Sequence, residues 1–310
     1  MSTSQNLPNG EIQGHLPVLL KESLEYLNIQ KGKIYVDCTL GTGGHSLEIL
    51  KFLNGSGMLI GIEQDPLIFE KAKDKLSNLK NCYLFNKNFL EIKDILNELK
   101  IEKITGGVLL DLGINSLQIN DPKRGFSFQH EGPLDMRMNP NENLTAYELI
   151  NHYKENDLAD IIFKYGEERL SRRIARTIVN NRPIKTTKEL ASLIARCYPK
   201  LGHFRIHPAT RTFQAIRIEV NKELEKLEQF LRIIQELILP EGRLTVISFH
   251  SLEDRIVKFF LKGNEEFKIL TKKPIQPSFE ETKSNPRARS AKLRAAEKIN
   301  NGTNKQHQSK

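Results

Sequence analysis

The chain is poor in cysteine, with three among 310 residues: Cys38, Cys82 and Cys197, odd in number and far apart. That scarcity excludes a disulfide framework and any close metal-ligand spacing, so no metal site is expected and a reducing cytoplasm is the natural home. No run of about 18 apolar residues is present to cross a bilayer, and the polar N-terminus lacks the apolar core of a signal segment. No internal repeat is found. What is present is a composition 38% hydrophobic and 27% charged, that of a slightly polar globular protein. The length suffices for one large domain or two small ones. Acid is in short supply: 47 Lys and Arg face 38 Asp and Glu, a net charge of +9. A pI near 9.3 points to a polyanionic partner and says nothing about fold.

The most informative stretch runs from Val36 to Ser46, VDCTLGTGGHS. It follows the apolar run Lys33 to Val36, a short strand, and leads into Leu47 to Leu53, whose apolar positions share a helical face. A strand, a glycine turn and a helix bring backbone N–H groups to a place a ligand can approach closely. The third glycine of a dinucleotide fingerprint is absent, since Ser46 stands there. A second strand, Met58 to Ile62, ends on Glu63, placed to accept from both hydroxyls of a ribose or else to lie solvated in its turn. A ribose and adenine without phosphate, as in S-adenosylmethionine, fits this pattern better than a pyrophosphate.

Further strands are expected at Cys82 to Phe85, Gly107 to Leu110 and Leu244 to Ser248, with Phe267 to Thr271 as an edge hairpin strand. Helices are expected from His15 to Leu27, from Asp65-Pro66 to Leu79 with Asp65 as its cap, and from Asn88 to Leu99. Strands alternating with helices predict a mostly parallel α/β sheet, whose ligands sit outside the carboxyl ends of the strands. Asp37, Glu63, Phe89 and Asp111 all fall at those ends. Between Gly125 and Arg211 the alternation gives way to short helical patterns, a helical insertion. A long amphipathic helix from Thr212 to Leu239 follows, then a helix from His250 to Phe260.

Basic residues cluster in two places. Thirteen Lys or Arg against five Asp or Glu lie between Asp160 and Val220, and seven against one lie between Asn285 and Lys310. Each cluster is either a solvated face or part of a groove that tracks phosphates.

Seven blocks carry a resemblance: HLPVLLKESLEYL (15–27), VDCTLGTGGHS (36–46), DLGINSLQINDPKRGFSFQHEGPLDMRM (111–138), YGEERLSRRIARTIVNNR (165–182), HPATRTFQAIRIEVNKEL (207–224), GRLTVISFHSLEDRIVKFF (242–260) and NPRARSAKLRAAEK (285–298). Together they resemble the bacterial 16S rRNA (cytosine-N4)-methyltransferase family, RsmH or MraW. The resemblance implies a class I S-adenosylmethionine-dependent methyltransferase, with a Rossmann-like sheet and an inserted small helical domain. The sheet would be formed by 1–124 and 212–284, the insertion by 125–211 for RNA recognition, and 285–310 would be a basic, flexible tail. It implies methylation of N4 of one cytosine in the decoding centre of 16S rRNA, in the small ribosomal subunit. No membrane or DNA partner is expected, and the protein would be a monomer or a homodimer.

The family's cofactor positions fall here on Gly43, Gly44, His45, Glu63, Phe89, Asp111 and Gln118. Phe89 offers adenine a face or fills the core. Gln118 orients a polar cofactor edge or is a loop amide, and His45 serves as a helix-start backbone donor. Glu63 departs from the family's usual Asp, and Asn115-Ser116 from its usual pair of serines. The catalytic candidates are Asp111 and, more weakly, Ser116, with Asp135 and His250 also within conceivable reach of the base. Arg172, Arg173, Arg176 and Arg211 are candidates for phosphate contacts, or else pair with Glu167 and Glu168. Two other functions are weighed. A nucleotide-dependent oxidoreductase is disfavoured by the missing third glycine and the missing second nucleotide-binding half. A noncatalytic RNA-binding protein leaves the ligand groups at the strand ends unexplained.

Overall fold

The computed structural model describes residues 17–199 and 206–300. The expected N-terminal polar segment and the first two residues of the helix expected from His15 lie outside that range. The chain opens with α1 (Leu20–Leu27), β1 (Ile34–Asp37), α2 (Gly44–Leu53) and β2 (Met58–Ile62). It continues through α3 (Pro66–Leu76), β3 (Cys82–Phe85), α4 (Ile92–Glu98), β4 (Gly107–Asp111) and α5 (Ser116–Asn120). Local signals set these boundaries. Asp65 caps α3 by accepting from the backbone N–H of Leu67 and Ile68, and Pro66 takes the first helical position, where no N–H is needed.

Five short helices follow: α6 (Ala146–His152), α7 (Glu155–Gly166), α8 (Ser171–Val179), α9 (Thr187–Ala195) and α10 (Thr210–Asn221). They share their own core, built on Met136, Ile150, Ile162, Ile178, Ile194 and Ile216. The chain returns to the sheet through α11 (Glu223–Leu237), β5 (Arg243–Ser248), α12 (Ser251–Lys262) and β6 (Phe267–Ile269). It ends with α13 (Phe279–Ser284) and β7 (Lys292–Lys298).

The seven strands lie in the order β3-β2-β1-β4-β5-β7-β6. The first five run parallel, and β7 is antiparallel to both β5 and β6. This is the mostly parallel α/β sheet that the alternation of strands and helices predicts. β2 and β4 are buried almost throughout, as parallel strands covered on both faces must be. The chain winds outward in opposite directions from β1, toward β2 on one side and β4 on the other, so a crevice opens at their carboxyl ends.

Two expectations fail. The helix expected from Thr212 to Leu239 is two helices, broken at Lys222 with φ of 51°. The side chain of Asn221 turns aside to donate to Met136 O and accept from Met138 N, and the chain bends there. The flexible tail expected from 285 is not a tail through the described residues, because β7 is inserted between β5 and β6. Leu293, Ala295 and Ala296 are fully buried, while Asp254 answers Lys292 and Arg294, and Glu266 answers Lys298. Its charge is neutralised by partners distant in sequence. Residues 301–310 lie outside the described range. Among the described residues no helix is long and apolar enough to cross a membrane.

Candidate active site

The loops at the carboxyl ends of the parallel strands open into one cleft of about 370 Å3. The turn between β1 and α2 forms one side. Gly43 caps α2 with φ of 78°, a conformation that suits glycine, and a Cβ there would lie 2.6 Å from Leu76 Cδ1. Gly43 therefore shapes the turn from behind, while Gly44 and His45 line the cleft. His45 is buried in the first turn of α2. Its Nε2 lies 3.1 Å from Val18 O and its Nδ1 3.8 Å from Asp111 Oδ2.

Glu63, at the end of β2, is held in place by backbone: Gly41 N–H donates to Oε2 and Asp65 N–H to Oε1, both at 2.9 Å. Phe89 lines the cleft from a 3-10 turn and packs edge-on against Phe230, centroids 5.1 Å apart. It is at once a core ring and a wall of the site. Asp111 ends β4 with its backbone N–H on Thr39 Oγ1 at 2.5 Å, and its Oδ1 is buried without a hydrogen-bond partner. Ser116 begins α5 on the same side.

Burial pushes the Glu63 carboxyl up to about 7, with Asp65 and Asp37 adding to the rise and the two backbone donors opposing it. Burial likewise lifts Asp37 to about 6 against its bonds from Ser46 and Thr39. Asp111 is raised well above the carboxylate range by burial, and further by Asp37 and Glu253. Glu63 and Asp111, which line the cleft, suit a cationic ligand, which would favour their ionised forms.

Gln118 is nearly fully buried, and both ends of its amide are engaged. Nε2 donates to Asp65 Oδ2 at 2.7 Å and Oε1 accepts from Asn115 N at 2.9 Å. It lines the cleft but mainly braces the loop after Asp111. Arg124 NH1 donates to the same Asp65 oxygen at 2.7 Å, and its NH2 to Arg137 O and Met138 O. Asp65 thus ties the end of β2 to the insertion.

Other expected residues lie elsewhere. Asp135 is forked by Arg137 and does not line the cleft; burial would raise its carboxyl, but Arg137 holds it below its ordinary value. His250 caps α12, its Nδ1 accepting from Glu253 N–H, which is its blander role. Arg172, Arg173 and Arg176 stand on the exposed face of α8, with Arg176 3.3 Å from Glu155. Arg211 is exposed and lies 3.9 Å from Glu168.

The far wall of the cleft was not anticipated from sequence. It comes from the α10–α11 bend, with Arg217, Glu223 and Lys226, joined by Glu253 and Arg287. Arg217 and Asn221 are four residues apart, one helical face, and that spacing was the available signal. Glu223, His250 and Glu253 place ligand-type atoms within 4.8 Å of one another. Arg217 already forks onto both oxygens of Glu223 at 2.8 Å, so the resident cation of this cluster is a guanidinium.

Residues 12–299 match the family described as the MraW methylase family. A Clostridium botulinum protein described as ribosomal RNA small subunit methyltransferase H is 49% identical over 306 residues, 92% of this chain and 99% of that protein. An Acidobacterium capsulatum protein of the same description is 48% identical, covering 93% of this chain and 99% of its own. One from Thermosipho africanus is 50% identical, covering 92% and 98%.

Proposed function

The chain belongs to the MraW methylase family, and from that premise we propose that it methylates N4 of one cytosine in the decoding centre of 16S rRNA, using S-adenosylmethionine. The observation that carries this reading is Asp111, which lines the same cleft as Glu63 and Phe89 and whose Oδ1 has no hydrogen-bond partner among the described residues. The residues present fit the cofactor: a carboxylate for a ribose diol, a ring for adenine, and acidic surroundings for a sulfonium. Bound there, S-adenosylmethionine supplies an electrophilic methyl group.

Glu63 holds the ribose hydroxyls, and its two backbone donors fix where its oxygens stand. The ring of Phe89 lies beside the adenine. The start of α2, at Gly44 and His45, offers backbone N–H groups that have no partner within the helix. The exocyclic amine of cytosine is a weak nucleophile, because its lone pair is delocalised into the ring, so positioning supplies much of the rate. Asp111, in its ionised form, accepts from the amine, aims its lone pair and takes up the departing proton. Ser116, at the start of α5, is placed to assist in holding the base. The target leaves the RNA stack to enter the cleft. The inserted helices, with Arg172 and Arg173 exposed on α8, are its RNA-recognition surface.

The test is incubation with labelled S-adenosylmethionine and small subunits from a strain lacking the enzyme, followed by nucleoside mapping. N4-methylcytosine at one decoding-centre site, lost in Asp111→Ala, is expected. A folded protein that binds no S-adenosylmethionine would refute the reading, and cofactor binding without methylated RNA would refute its substrate.

A further inference from the structure

The C-terminal segment contributes five described basic residues beyond Asn285, and the structure separates them by role. Lys292 and Arg294 are spent on Asp254, and Lys298 on Glu266. Arg287 and Arg289 have no acidic partner among the described residues, and both are exposed. Of these five, Arg287 alone lines the cleft. Its NH2 donates to Asn120 Oδ1 at 2.7 Å, across to the end of α5, the helix that follows Asp111 and Asn115.

The backbone that carries Arg287 is firmly seated. Pro286 to Ser290 form a 3-10 turn capped by Asn285, whose Oδ1 accepts from Arg287 N. Ala288 is fully buried, packed with Leu19, Ile247 and Leu293. Glu281 Oε1 accepts from Leu19 N at 2.8 Å and ties α13 to the start of α1. A guanidinium on such a turn has a defined position despite its exposure. Four cations line the cleft with the carboxyls of Glu63, Asp111, Glu223 and Glu253, and three of them have acidic partners: Lys87 on Glu98, Arg217 on Glu223 and Lys226 on Glu142. A nucleotide that turns its amine toward the carboxyls leaves its phosphodiester for a cation without an acid of its own, and among the described lining residues that is Arg287.

We propose that Arg287 is a positioning residue for the target nucleotide, taking the backbone phosphate beside the base that enters the cleft, so that the C-terminal segment is a wall of the RNA site. The assignment rests on the proposed methyl transfer to RNA. Arg289, two residues on and exposed, extends the same cationic edge toward the next phosphate. Arginine suits the task, since its planar fork matches phosphate oxygens while one N–H remains on Asn120.

The experiment compares the full-length wild type with Arg287→Gln, Arg287→Lys and Asn120→Ala. Small-subunit RNA affinity is measured over a salt series, with KM and kcat for methyl transfer and S-adenosylmethionine affinity by calorimetry. Arg287→Gln is expected to raise the KM for RNA about tenfold or more and to lower the salt slope by about 1, with cofactor affinity unchanged. Arg287→Lys keeps the slope, and Asn120→Ala, which removes only the internal bond, keeps it too. Arg287→Gln with wild-type KM and slope overturns the assignment while transfer by the wild type leaves the enzyme's function standing. Equal defects in Arg287→Gln and Asn120→Ala also overturn it, by reducing Arg287 to an internal brace. A folded, cofactor-binding wild type that neither binds nor methylates the RNA overturns both readings.

Discussion

Replacing Glu63 by Gln should change the pH dependence of stability in a direction opposite to that of most paired carboxylates. Unfolded, the carboxyl titrates at its ordinary 4.5; folded and without ligand, it is pushed up to about 7 by burial. Between those values the folded protein holds a proton that the unfolded chain has released. Stability contributed by the protonated carboxyl is therefore fully present below 4.5 and is lost as pH rises through about 7. A shift from 4.5 to about 7, at about 1.4 kcal/mol per pH unit, sets an upper limit of about 3.5 kcal/mol. Glu63 keeps partial access to the open cleft, so about 1–3 kcal/mol is the expected range. The assay is urea denaturation of the cofactor-free wild type and Glu63→Gln from pH 4.5 to 8.5. The amide can accept from only one of Gly41 and Asp65, a cost that does not vary with pH, so the diagnostic is the slope of the difference. The wild type should lose stability relative to the variant as pH rises, levelling off above about 8. Cofactor affinity should move the other way, rising with pH in the wild type more steeply than in the variant, because the ribose requires the ionised form. A flat difference, or one that grows in the wild type's favour with pH, would refute the buried-carboxyl account.

Arg124→Met leaves Asp65 buried with a charge that Gln118 alone cannot balance, and should cost about 3–5 kcal/mol in denaturant melts. Adding Asp65→Asn, which still caps α3, should recover part of that loss. Gly43→Ala sets a Cβ against Leu76 in a left-handed turn and should destabilise by about 2–4 kcal/mol, with weaker S-adenosylmethionine binding by calorimetry. Replacing Arg172 and Arg173 together by Gln should lower RNA affinity and its salt slope while sparing cofactor affinity, since both are exposed on α8 and away from the cleft. Unchanged RNA affinity in that folded variant would remove α8 from the groove.

The parts legible in the sequence are those governed by local rules. Parallel strands buried on both faces read as unbroken apolar runs, so β1 to β5 were visible. Glu63 and Asp111 could be found because strand ends in an α/β sheet all point one way. Strand β7 was hidden because Lys292, Arg294 and Lys298 look solvated until Asp254 and Glu266 are brought to them, across 32 to 40 residues of sequence. The break at Lys222 was hidden because the apolar period continues through it, and what stops the helix is the bond from Asn221 to the loop at Met136, 85 residues away. The wall of the cleft formed by Arg217, Glu223 and Arg287 depends on those two tertiary events. It could not be read before them.

Those same events join the short helices between β4 and β5 to the strand ends. From Glu63 outward the bonds are continuous. Glu63 accepts from Asp65 N, and Asp65 takes Gln118 and Arg124. Arg124 holds Met138 O, and Met138 N is held by Asn221 at the end of α10. One residue further the chain turns, and Glu223 accepts the fork of Arg217 on the far wall. Each link is buried or partly buried and charge-assisted or backbone-directed, the kind whose loss costs most. A cleft whose two walls are joined by such a path needs no large closure to bring donor and acceptor together. An amine as weak as that of cytosine gains most from being held in such a prearranged seat, where misplacement by an ångström would cost about a hundredfold in rate.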